Sequence, residues 1–313
     1  MGYDVVASGY VSMDHIIRIA EPVRTGFTSI VTNANNTRIF YGGCSVNITV
    51  ALSRLGKKAV PLIRVGDDFE STGFKHFLES ASVPLDGIHI IKGETTSTCY
   101  LLQDNQNDHI TVFYPGSMDK KYAAELEDVF FKDTRLGVVT VASREDNTFF
   151  LEKCKKYQVP IVFGMKDDFD AFPTDFLKEI LLESRIVFMN EVEREIVEER
   201  LKLHNVQELF SMGSVEIIVI TLGKKGSICY EKKKETYAEY KMGIFEVPEV
   251  TDATGSGDAY MSGFLYGYLE HRPIEECLRY GAALSSFVLQ SCGCCTNIPD
   301  ITQLENKVKE KET

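Results

Sequence analysis

Apolar and polar residues follow one another along the chain in blocks that predict strands separated by helices. Continuous apolar runs rich in β-branched residues are typical of strands buried on both faces. Between them, Ile48, Ala51, Leu52 and Leu55 form an apolar stripe at helical spacing that ends before Gly56. The alternation predicts an α/β fold, a doubly wound, Rossmann-like, mainly parallel sheet with helices on both faces, over one domain of residues 1–313. The predicted strands are 4–7, 59–65, 137–141, 159–163, 185–189 and 216–221.

Two excursions interrupt this alternation and predict a small antiparallel β sheet. Its predicted strands are 16–19 with 29–32, and 98–103 with 109–114 across the polar turn 104–108. Both excursions leave the core just after segments with candidate substrate contacts. We therefore expect a lid, formed by about 14–40 and 96–116, that closes over a bound ligand. A hairpin without such a role is the alternative.

The charge of the chain excludes several classes of partner. Lysine and arginine number 34 against 46 aspartates and glutamates, which gives a formal net charge of −12. Nucleic acids and anionic membranes are bound by basic surfaces, so neither is an expected partner. No basic leader precedes the first strand, and no apolar stretch is suited to crossing a bilayer. We expect a soluble, cytoplasmic protein whose partners are small molecules or a second copy of itself.

The eight cysteines favour a reducing compartment, because most are scattered through apolar segments of a chain too large to need disulfides. Only Cys292, Cys294 and Cys295 form a cluster that could bind metal or act in redox chemistry. No second cysteine pair or neighbouring histidine accompanies them. Small packing residues in a turn are therefore the favoured interpretation.

A glycine-rich turn at 251–257 leads into an apolar run that predicts a buried helix. Backbone N–H groups at such a helix start, together with the helix dipole, suit a phosphate or a developing phosphoryl charge. Asp258 falls in the first turn of this helix. Its carboxylate could take the proton from an attacking hydroxyl, or it could merely complement the helix dipole. The residues alone leave both roles open.

Two common nucleotide-binding motifs are missing from the sequence. The segment 223–227 is rich in glycine and lysine but lacks the spacing of a Walker A loop. No glycine-x-glycine-x-x-glycine turn follows the first strand, which argues against a dinucleotide oxidoreductase. Nucleotide binding, if present, must use a different motif.

The segment from Asp252 to Asp258 closely resembles the Asp-Thr-x-Gly-Ala-Gly-Asp signature of the ribokinase (PfkB carbohydrate kinase) family, with Ala253 and Ser256 as departures. A second signature of that family is matched at 42–47, and the pair is more specific than either alone. The contexts of the first strand and of the predicted lid look closest to the prokaryotic nucleoside (adenosine-kinase-like) branch. Further matches, in the family's order, are 9–14, 55–56, 65–69, 190–193 and 221–226.

This resemblance implies an ATP- and Mg²⁺-dependent phosphotransferase that moves the γ-phosphate of ATP to a hydroxyl of a sugar or nucleoside, with a ribose-containing acceptor favoured. A kinase for fructose or a hexose phosphate, and a non-catalytic ligand-binding relative, are the alternatives. A homodimer through the lid is a further expectation. The implied site comprises Asp258 as catalytic base; Gly255, Ser256 and Gly257 as anion hole; Asp14, Gly42, Gly43 and Asn47 for the acceptor; Asn190, Thr221, Gly223 and Gly226 for ATP; Asn190 and Glu193 for Mg²⁺, largely through water; and Asp252 and Thr254 for a monovalent cation such as K⁺.

Several of these residues also have an ordinary structural explanation. Asp14 could cap a loop, Asn47 could form a hydrogen bond at a helix start, and the two glycines before it could form a tight turn. Asn190 and Glu193 could likewise be a polar helix start. After the strand 159–163, many family members carry Asp or Asn with Arg or Pro close behind, whereas this chain has Gly-Met-Lys-Asp-Asp from Gly164 to Asp168. The resemblance therefore carries no substrate contact over to the segment from Met165 to Asp168.

Overall fold

The computed structural model describes residues 2–105, 109–234 and 236–310. Its strands are β1 (Val5–Ser8), β2 (Ser12–Arg18), β3 (Ile39–Gly42), β4 (Ala59–Pro61), β5 (Ile63–Gly66), β6 (Ile88–Ile91), β7 (Thr98–Gln103), β8 (His109–Tyr114), β9 (Leu136–Val139), β10 (Ile161–Gly164), β11 (Ser184–Asn190), β12 (Ile217–Thr221), β13 (Ser227–Lys232) and β14 (Tyr237–Met242). Its α-helices are α1 (Cys44–Arg54), α2 (Phe74–Ser80), α3 (Arg144–Tyr157), α4 (Thr174–Glu183), α5 (Glu191–Leu201), α6 (Leu209–Met212), α7 (Ser256–Leu269), α8 (Ile274–Val288) and α9 (Ile301–Lys309).

The main sheet has the strand order β14-β13-β12-β11-β10-β9-β1-β4. The strands from β12 to β4 pair in parallel, and only β13 and β14 run antiparallel to their neighbours. Parallel strands bring their carboxyl ends to one edge of the sheet, where ligands of open α/β sheets bind. This arrangement confirms the predicted fold class, and it predicts that a ligand site lies at that edge.

Alternate residues of each central strand point into two separate hydrophobic cores. On β11, Ile186 and Phe188 contact the core with α1, α7 and α8, whereas Val187 and Met189 contact the core with α3, α4 and α5. Burial on both faces explains why these strands read as continuous apolar runs. The helices therefore cover the sheet on both sides.

Helix α7 is buried over most of its length because it packs closely against α8. A Cβ atom at Gly263 would lie 2.3 Å from the backbone oxygen of Tyr280, so the two helix backbones approach where no side chain fits between them. Phe264, on the next position, is fully buried and packs edge-on against Phe188 of β11. This packing fixes the start of α7 relative to the sheet.

A smaller sheet, hereafter the small sheet, has the order β3-β2-β7-β8. Its outer pairs, β2 with β3 and β7 with β8, are antiparallel, the second of them as predicted, while the central strands β2 and β7 run parallel. This parallel pair arises because two separate excursions each contribute a neighbouring strand. The polar turn 104–108 lies partly outside the described residues.

Two predicted strand boundaries are wrong. The run 59–65 is broken between β4 and β5, because β4 joins the main sheet and β5 pairs with β6 in a separate two-stranded sheet. The run 29–32 contributes only an isolated bridge between Val31 and Ile19, and β2 pairs with β3 instead. In the described parts of the chain, no helix is both long and apolar enough to cross a membrane.

Candidate active site

A narrow cleft opens at the carboxyl edge of the main sheet, beside the start of α7. Its floor and walls come from the ends of β10, β11 and β12 and from the first turns of α5 and α7. Three strands that are neighbours in the sheet thus deliver their last residues to one place. The lining residues are Thr140, Gly164, Met165, Lys166, Phe188, Met189, Asn190, Glu193, Thr221, Gly257, Asp258 and Met261.

The start of α7 presents backbone donors to this cleft. Gly255 occupies the N-cap position with φ of +75° and offers no side-chain cap. The amide of Ser256 donates to the Ala253 oxygen at 3.2 Å, whereas within the described chain the amides of Gly257 and Asp258 have no acceptor. A Cβ atom on Gly257 would meet nothing within 4 Å, so the space in front of these donors is open. Free N–H groups at a helix start suit an anion.

Asp258 lies in the first turn of α7 and is 6% exposed. Its Oδ2 atom accepts a hydrogen bond from Nδ2 of Asn47 at 2.8 Å, across 211 positions of sequence. The hydrogen bond joins α1 to α7 and orients the carboxylate. Asn47 therefore contacts another side chain of the site and does not serve as the N-cap of α1.

Asp14 lies on β2 and is 7% exposed. Desolvation by burial raises the pKa of Asp14 from 3.8 to about 6, although the hydrogen bond from Ser12 acts in the opposite direction. The hydroxyl of Ser12 donates to Oδ1 of Asp14 at 2.6 Å. A carboxylate buried at such a cost is unusual for a loop cap, and it suits a group that receives hydrogen bonds from a ligand.

Gly42 and Gly43 have different roles at the end of β3. A Cβ atom at Gly42 would lie 2.9 Å from Oδ2 of Asp14 and 3.4 Å from Oδ1 of Asn47, so this glycine keeps the space beside both side chains empty. Gly43 has φ of +92°, and a Cβ atom there would lie 2.2 Å from the Tyr10 oxygen. The second glycine is therefore required by the turn itself.

Asn190 and Glu193 form a capping box at the start of α5. Oδ1 of Asn190 accepts from the Glu193 amide at 2.8 Å, and Oε2 of Glu193 accepts from the Asn190 amide at 2.7 Å. Burial raises the pKa of the Glu193 carboxyl. The polar helix start considered from sequence is real, and the same two side chains line the cleft beside Asp258. The box leaves Nδ2 of Asn190 and Oε1 of Glu193 outside it.

Of the candidate ATP residues Thr221, Gly223 and Gly226, Thr221 at the end of β12 lines the cleft and the two glycines do not. Gly223 and Gly226 lie in the turn between β12 and β13, with φ of +55° and +89°. A Cβ atom at Gly226 would come within 2.0 Å of the Met242 oxygen, whereas one at Gly223 would meet nothing within 4 Å. Gly226 therefore shapes the turn, and Gly223 leaves an open surface next to the cleft.

Asp252 organises the loop before α7. Its Oδ1 atom accepts from the Thr254 amide at 2.9 Å, and its Oδ2 atom accepts from the Gly293 amide at 3.1 Å. Asp252 thus ties the glycine-rich turn to the turn after α8. Neither Asp252 nor Thr254 lines the cleft.

The cysteine cluster packs behind the glycine-rich turn. A Cβ atom on Gly255 would lie 2.6 Å from the Cys294 Cβ, and the Cys295 thiol donates to Oδ1 of Asn47 at 3.2 Å. Burial raises the pKa of both thiols. All eight cysteines are free, and the described residues contain no group of histidines, cysteines and carboxylates suited to a metal. The packing interpretation accords with this arrangement.

Sequence reasoning missed several residues of the cleft, above all Lys166. It follows β10 directly, at the carboxyl edge where the fold class concentrates functional groups. Its position after a strand was the available signal, but the segment 164–168 departs from the family pattern and carries no motif. Thr140, Met165 and Met261 carry no motif and were recognisable only from the fold.

A larger cavity lies at the opposite edge of the main sheet, where β9, β11 and β12 begin. Basic residues line it, but Arg135 is bound by Asp4 at 3.0 Å and Arg185 faces Glu216 at 3.5 Å. It is remote from the carboxyl edge that carries the motif residues. The narrow cleft beside α7 is therefore the candidate active site.

Comparisons with known proteins identify the family of the chain. Residues 4–301 match the family model of the pfkB family carbohydrate kinases. A nucleoside kinase of Methanocaldococcus jannaschii is 29% identical over 297 residues, which cover 94% of this chain and 93% of that protein. A 5-dehydro-2-deoxygluconokinase of Geobacillus kaustophilus is 24% identical over 295 residues, covering 87% and 85%.

Among solved structures, the nucleoside kinase of Methanocaldococcus jannaschii superposes on this chain with a TM-score of 0.87 at 25% identity. The superposition covers 99% of this chain and 100% of that one. Both the overall architecture and the order of the elements are therefore shared. Because the family model matches nearly the whole chain, the protein belongs to the pfkB family of carbohydrate kinases and is an ATP-dependent phosphotransferase acting on the hydroxyl of a sugar or nucleoside.

Proposed function

We propose that the protein transfers the γ-phosphate of ATP to a ribose hydroxyl of a nucleoside. The observation that carries this proposal is the hydrogen bond between Asn47 and Asp258. It holds a buried carboxylate beside two unpaired amides at the start of α7, and it connects that carboxylate to the pocket around Asp14. A proton acceptor, an anion site and a polyol site therefore adjoin one another, which is the arrangement that phosphoryl transfer to a hydroxyl requires.

In the proposed reaction, the acceptor hydroxyl gives its proton to the Asp258 carboxylate as its oxygen forms a bond to the γ-phosphorus. The bond between that phosphorus and the β,γ-bridging oxygen breaks, and ADP leaves with the bonding electrons. The amides of Gly257 and Asp258 face the negative charge on the transferring group. Of the expected anion-hole residues, Ser256 contributes less through its amide, because that amide already donates to the Ala253 oxygen.

The acceptor pocket is proposed to comprise Asp14, Asn47 and the space left by Gly42. An ionised carboxylate accepts hydrogen bonds from two vicinal hydroxyls, as a ribose ring offers. Gly43 contributes by fixing the turn. The similarity to a nucleoside kinase of Methanocaldococcus jannaschii supports a nucleoside acceptor, whereas the similarity to a 5-dehydro-2-deoxygluconokinase keeps a sugar-acid acceptor as the second candidate.

ATP is proposed to bind along Thr221, Gly223 and Gly226, with its terminal phosphates reaching Asn190 and α7. Mg²⁺ fits the available donor atoms. Oε1 of Glu193 faces outside the capping box and can hold metal-bound water. Nδ2 of Asn190, the other atom outside the box, is not a metal ligand. The described residues offer no cage of three ligands, which suits a cation held mainly by water and phosphate. When bound, Mg²⁺ would neutralise charge on the phosphates.

A monovalent cation such as K⁺ is proposed beside the loop of Asp252 and Thr254. Each carboxylate oxygen of Asp252 accepts one amide hydrogen bond and retains a further lone pair. A cation there would stabilise the loop that carries the anion site. The cation would act on loop order and not on the proton transfer itself.

The small sheet, with the loops of 14–40 and 96–116, is proposed to be a lid inserted in a single kinase domain. Asp14 lies on its strand β2, so an acceptor bound to Asp14 contacts the small sheet directly. Closure would exclude water and prevent transfer of the phosphoryl group to it.

The same sheet is proposed as the contact of a homodimer. Tyr100, Ile110 and Val112 are 42%, 49% and 52% exposed. They lie on β7 and the edge strand β8 and form an apolar surface on a protein of strongly negative net charge. Exposed apolar patches and open strand edges favour association with a second chain.

The central test of the proposal is the variant Asp258→Asn, which keeps the shape of the side chain and removes the proton acceptor. We expect the turnover number to fall by about 10²- to 10⁴-fold, with ATP affinity unchanged within a few-fold, because general-base catalysis is typically worth that much. An ADP-release assay over nucleosides, pentoses and sugar acids, with ATP and Mg²⁺, measures this. Asp175→Asn, an exposed carboxylate on α4, is the matched control and should retain full turnover. Near-normal turnover in a folded Asp258→Asn variant would refute the assignment.

A second prediction concerns Asp14→Asn. We expect the KM for the acceptor to rise by about 10- to 100-fold, since charged hydrogen bonds to the hydroxyls are lost, while the KM for ATP stays similar.

The same substitution should also change the pH dependence of stability. Since the folded-state pKa of Asp14 is raised to about 6, folding favours the protonated form, and stability is lost as pH rises from 4 to 6. Above that range the variant should therefore be more stable than the wild type, by about 1–3 kcal/mol. Urea midpoints at acidic and neutral pH test the sign, and lower stability of Asp14→Asn at neutral pH would contradict it.

The lid proposal predicts slower hydrogen exchange in β7 and β8 when acceptor and an ATP analogue are both bound. Closure orders the sheet and shields its amides from water, whereas β12 in the main sheet should exchange equally in both states. Mass spectrometry of proteolytic fragments measures the difference. Identical exchange of β7 and β8 with and without ligands would count against a moving lid.

The dimer proposal predicts that the double variant Ile110→Glu, Val112→Glu shifts the protein toward monomer in sedimentation velocity. Self-association would bring the introduced carboxylates of two chains together, and these charges would repel each other. Ile90→Glu on β6, where the native side chain is 58% exposed, is the matched control and should leave association unchanged. A wild-type protein that sediments as a monomer at high concentration would exclude the dimer.

A further inference from the structure

Lys166 is the only lysine or arginine among the residues that line the cleft in the described chain. It stands at the carboxyl end of β10, facing Asn190 and Glu193 from the next strand and helix and Gly257 and Asp258 from α7. The two other charged residues of the lining, Glu193 and Asp258, are both acidic. The Lys166 ammonium is therefore the one positively charged side chain in the described lining of a cleft that must accept a triphosphate.

The ammonium group of Lys166 is not committed to a protein partner. No hydrogen bond or salt bridge within 4.0 Å joins it to another residue of the described ranges, whereas the buried Lys153 amine contacts Glu125 at 2.7 Å and Asp128 at 2.6 Å. The nearby charge of Asp258, and to a lesser degree that of Glu193, raises the pKa of Lys166. The side chain is thus a permanently charged group whose three N–H donors remain available to a ligand.

The transferring phosphoryl group has to pass through the space that Lys166 faces. Its phosphorus must come within bonding distance of a hydroxyl held by Asp258, and its oxygens must face the free amides of α7. Negative charge spreads over the equatorial oxygens of such a group in the transition state, and a preorganised cation there lowers the barrier. Among the described residues that line the cleft, the backbone amides supply partial positive charges and Lys166 supplies a full one.

We propose that Lys166 is a catalytic residue that donates hydrogen bonds to the equatorial oxygens of the phosphoryl group during transfer from ATP to the acceptor. This inference rests on the kinase function proposed above. The alternative role for the same side chain is to keep Asp258 ionised through its charge alone. The two roles differ in their pH dependence, because a lost charge next to a proton acceptor is compensated at higher pH, whereas a lost phosphoryl contact is not.

The test compares Lys166→Met and Lys166→Arg with the wild type and with Lys155→Met, which removes a lysine of α3 outside the cleft. We expect Lys166→Met to lower kcat by about 10²- to 10³-fold at every pH from about 6 to 9, with the KM for acceptor unchanged within a few-fold. Lys166→Arg should recover part of the loss, since it restores the charge in a different geometry. Lys155→Met should behave as the wild type.

A second measurement does not depend on turnover. Aluminium fluoride with ADP and acceptor imitates the phosphoryl group in the transition state. We expect Lys166→Met to weaken the binding of this combination by about the factor by which it lowers kcat, because catalysis depends on binding the transition state more tightly than the ground state. Binding of ADP alone should change only a few-fold. Calorimetry of the intact protein gives both affinities.

Four outcomes would overturn the proposal. Normal turnover of Lys166→Met beside an active wild type removes Lys166 from catalysis and leaves the kinase function intact. Recovery of kcat at high pH assigns Lys166 to the ionisation of Asp258. Equal weakening of ADP and of ADP with aluminium fluoride makes Lys166 a ground-state nucleotide contact. A wild type inactive toward every nucleoside and sugar refutes the proposed function, and the role of Lys166 with it.

Discussion

The hydrogen bond from Asn47 to Asp258 is the constraint on which the site depends. It connects the first turns of two helices, α1 and α7, that come from opposite ends of the chain. Asp258 is buried, so removing its partner would leave a desolvated carboxylate without that donor. The bond therefore couples the acceptor pocket, which α1 borders, to the anion site at the start of α7. Any shift between the two helices would alter both at once.

Both helices begin without a side-chain cap, at glycines with positive φ. Ordinary helices satisfy their first amides with a Ser, Thr, Asp or Asn side chain. At α7 this stabilisation is forgone, and the amides stay available to an anion. By contrast, α5 has a full capping box whose two side chains also face the cleft. The site thus combines the uncapped starts of α1 and α7 with the capped start of α5.

The fold class was predictable because burial on both faces of the parallel sheet imposes long apolar runs on β1, β9, β10, β11 and β12. The motif residues Asp14, Asn47 and Asp258 were identifiable because their signatures preserve order and spacing. The strand breaks near β4 and β5 were not, since the change of sheet depends on tertiary pairing that leaves the apolar pattern of 59–65 unchanged. The pairing of β2 with β3 instead of 29–32 has the same cause.

Within the site, the sequence indicated the glycine-rich turn and the ends of β11 and β12, which line the cleft, but not each contact. Ser256 was expected in the anion hole, and its amide donates within the turn to the Ala253 oxygen. Sequence reasoning passed over Lys166, because a lysine after a strand has no motif and acquires meaning only from what the sheet brings opposite to it. The contact between Cys295 and Asn47 was equally invisible, since it joins segments 248 positions apart.

The formal charge of −12 has a consequence for how nucleotide reaches this cleft. At long range the net charge of the protein repels ATP, whereas the helix start and Lys166 attract its phosphates at short range. Diffusional encounter is therefore opposed by the field of the whole molecule, and added salt screens that repulsion more than it screens the short contacts. The on-rate for nucleotide should accordingly rise with ionic strength, the reverse of the behaviour of enzymes whose surfaces steer their anionic substrates inward.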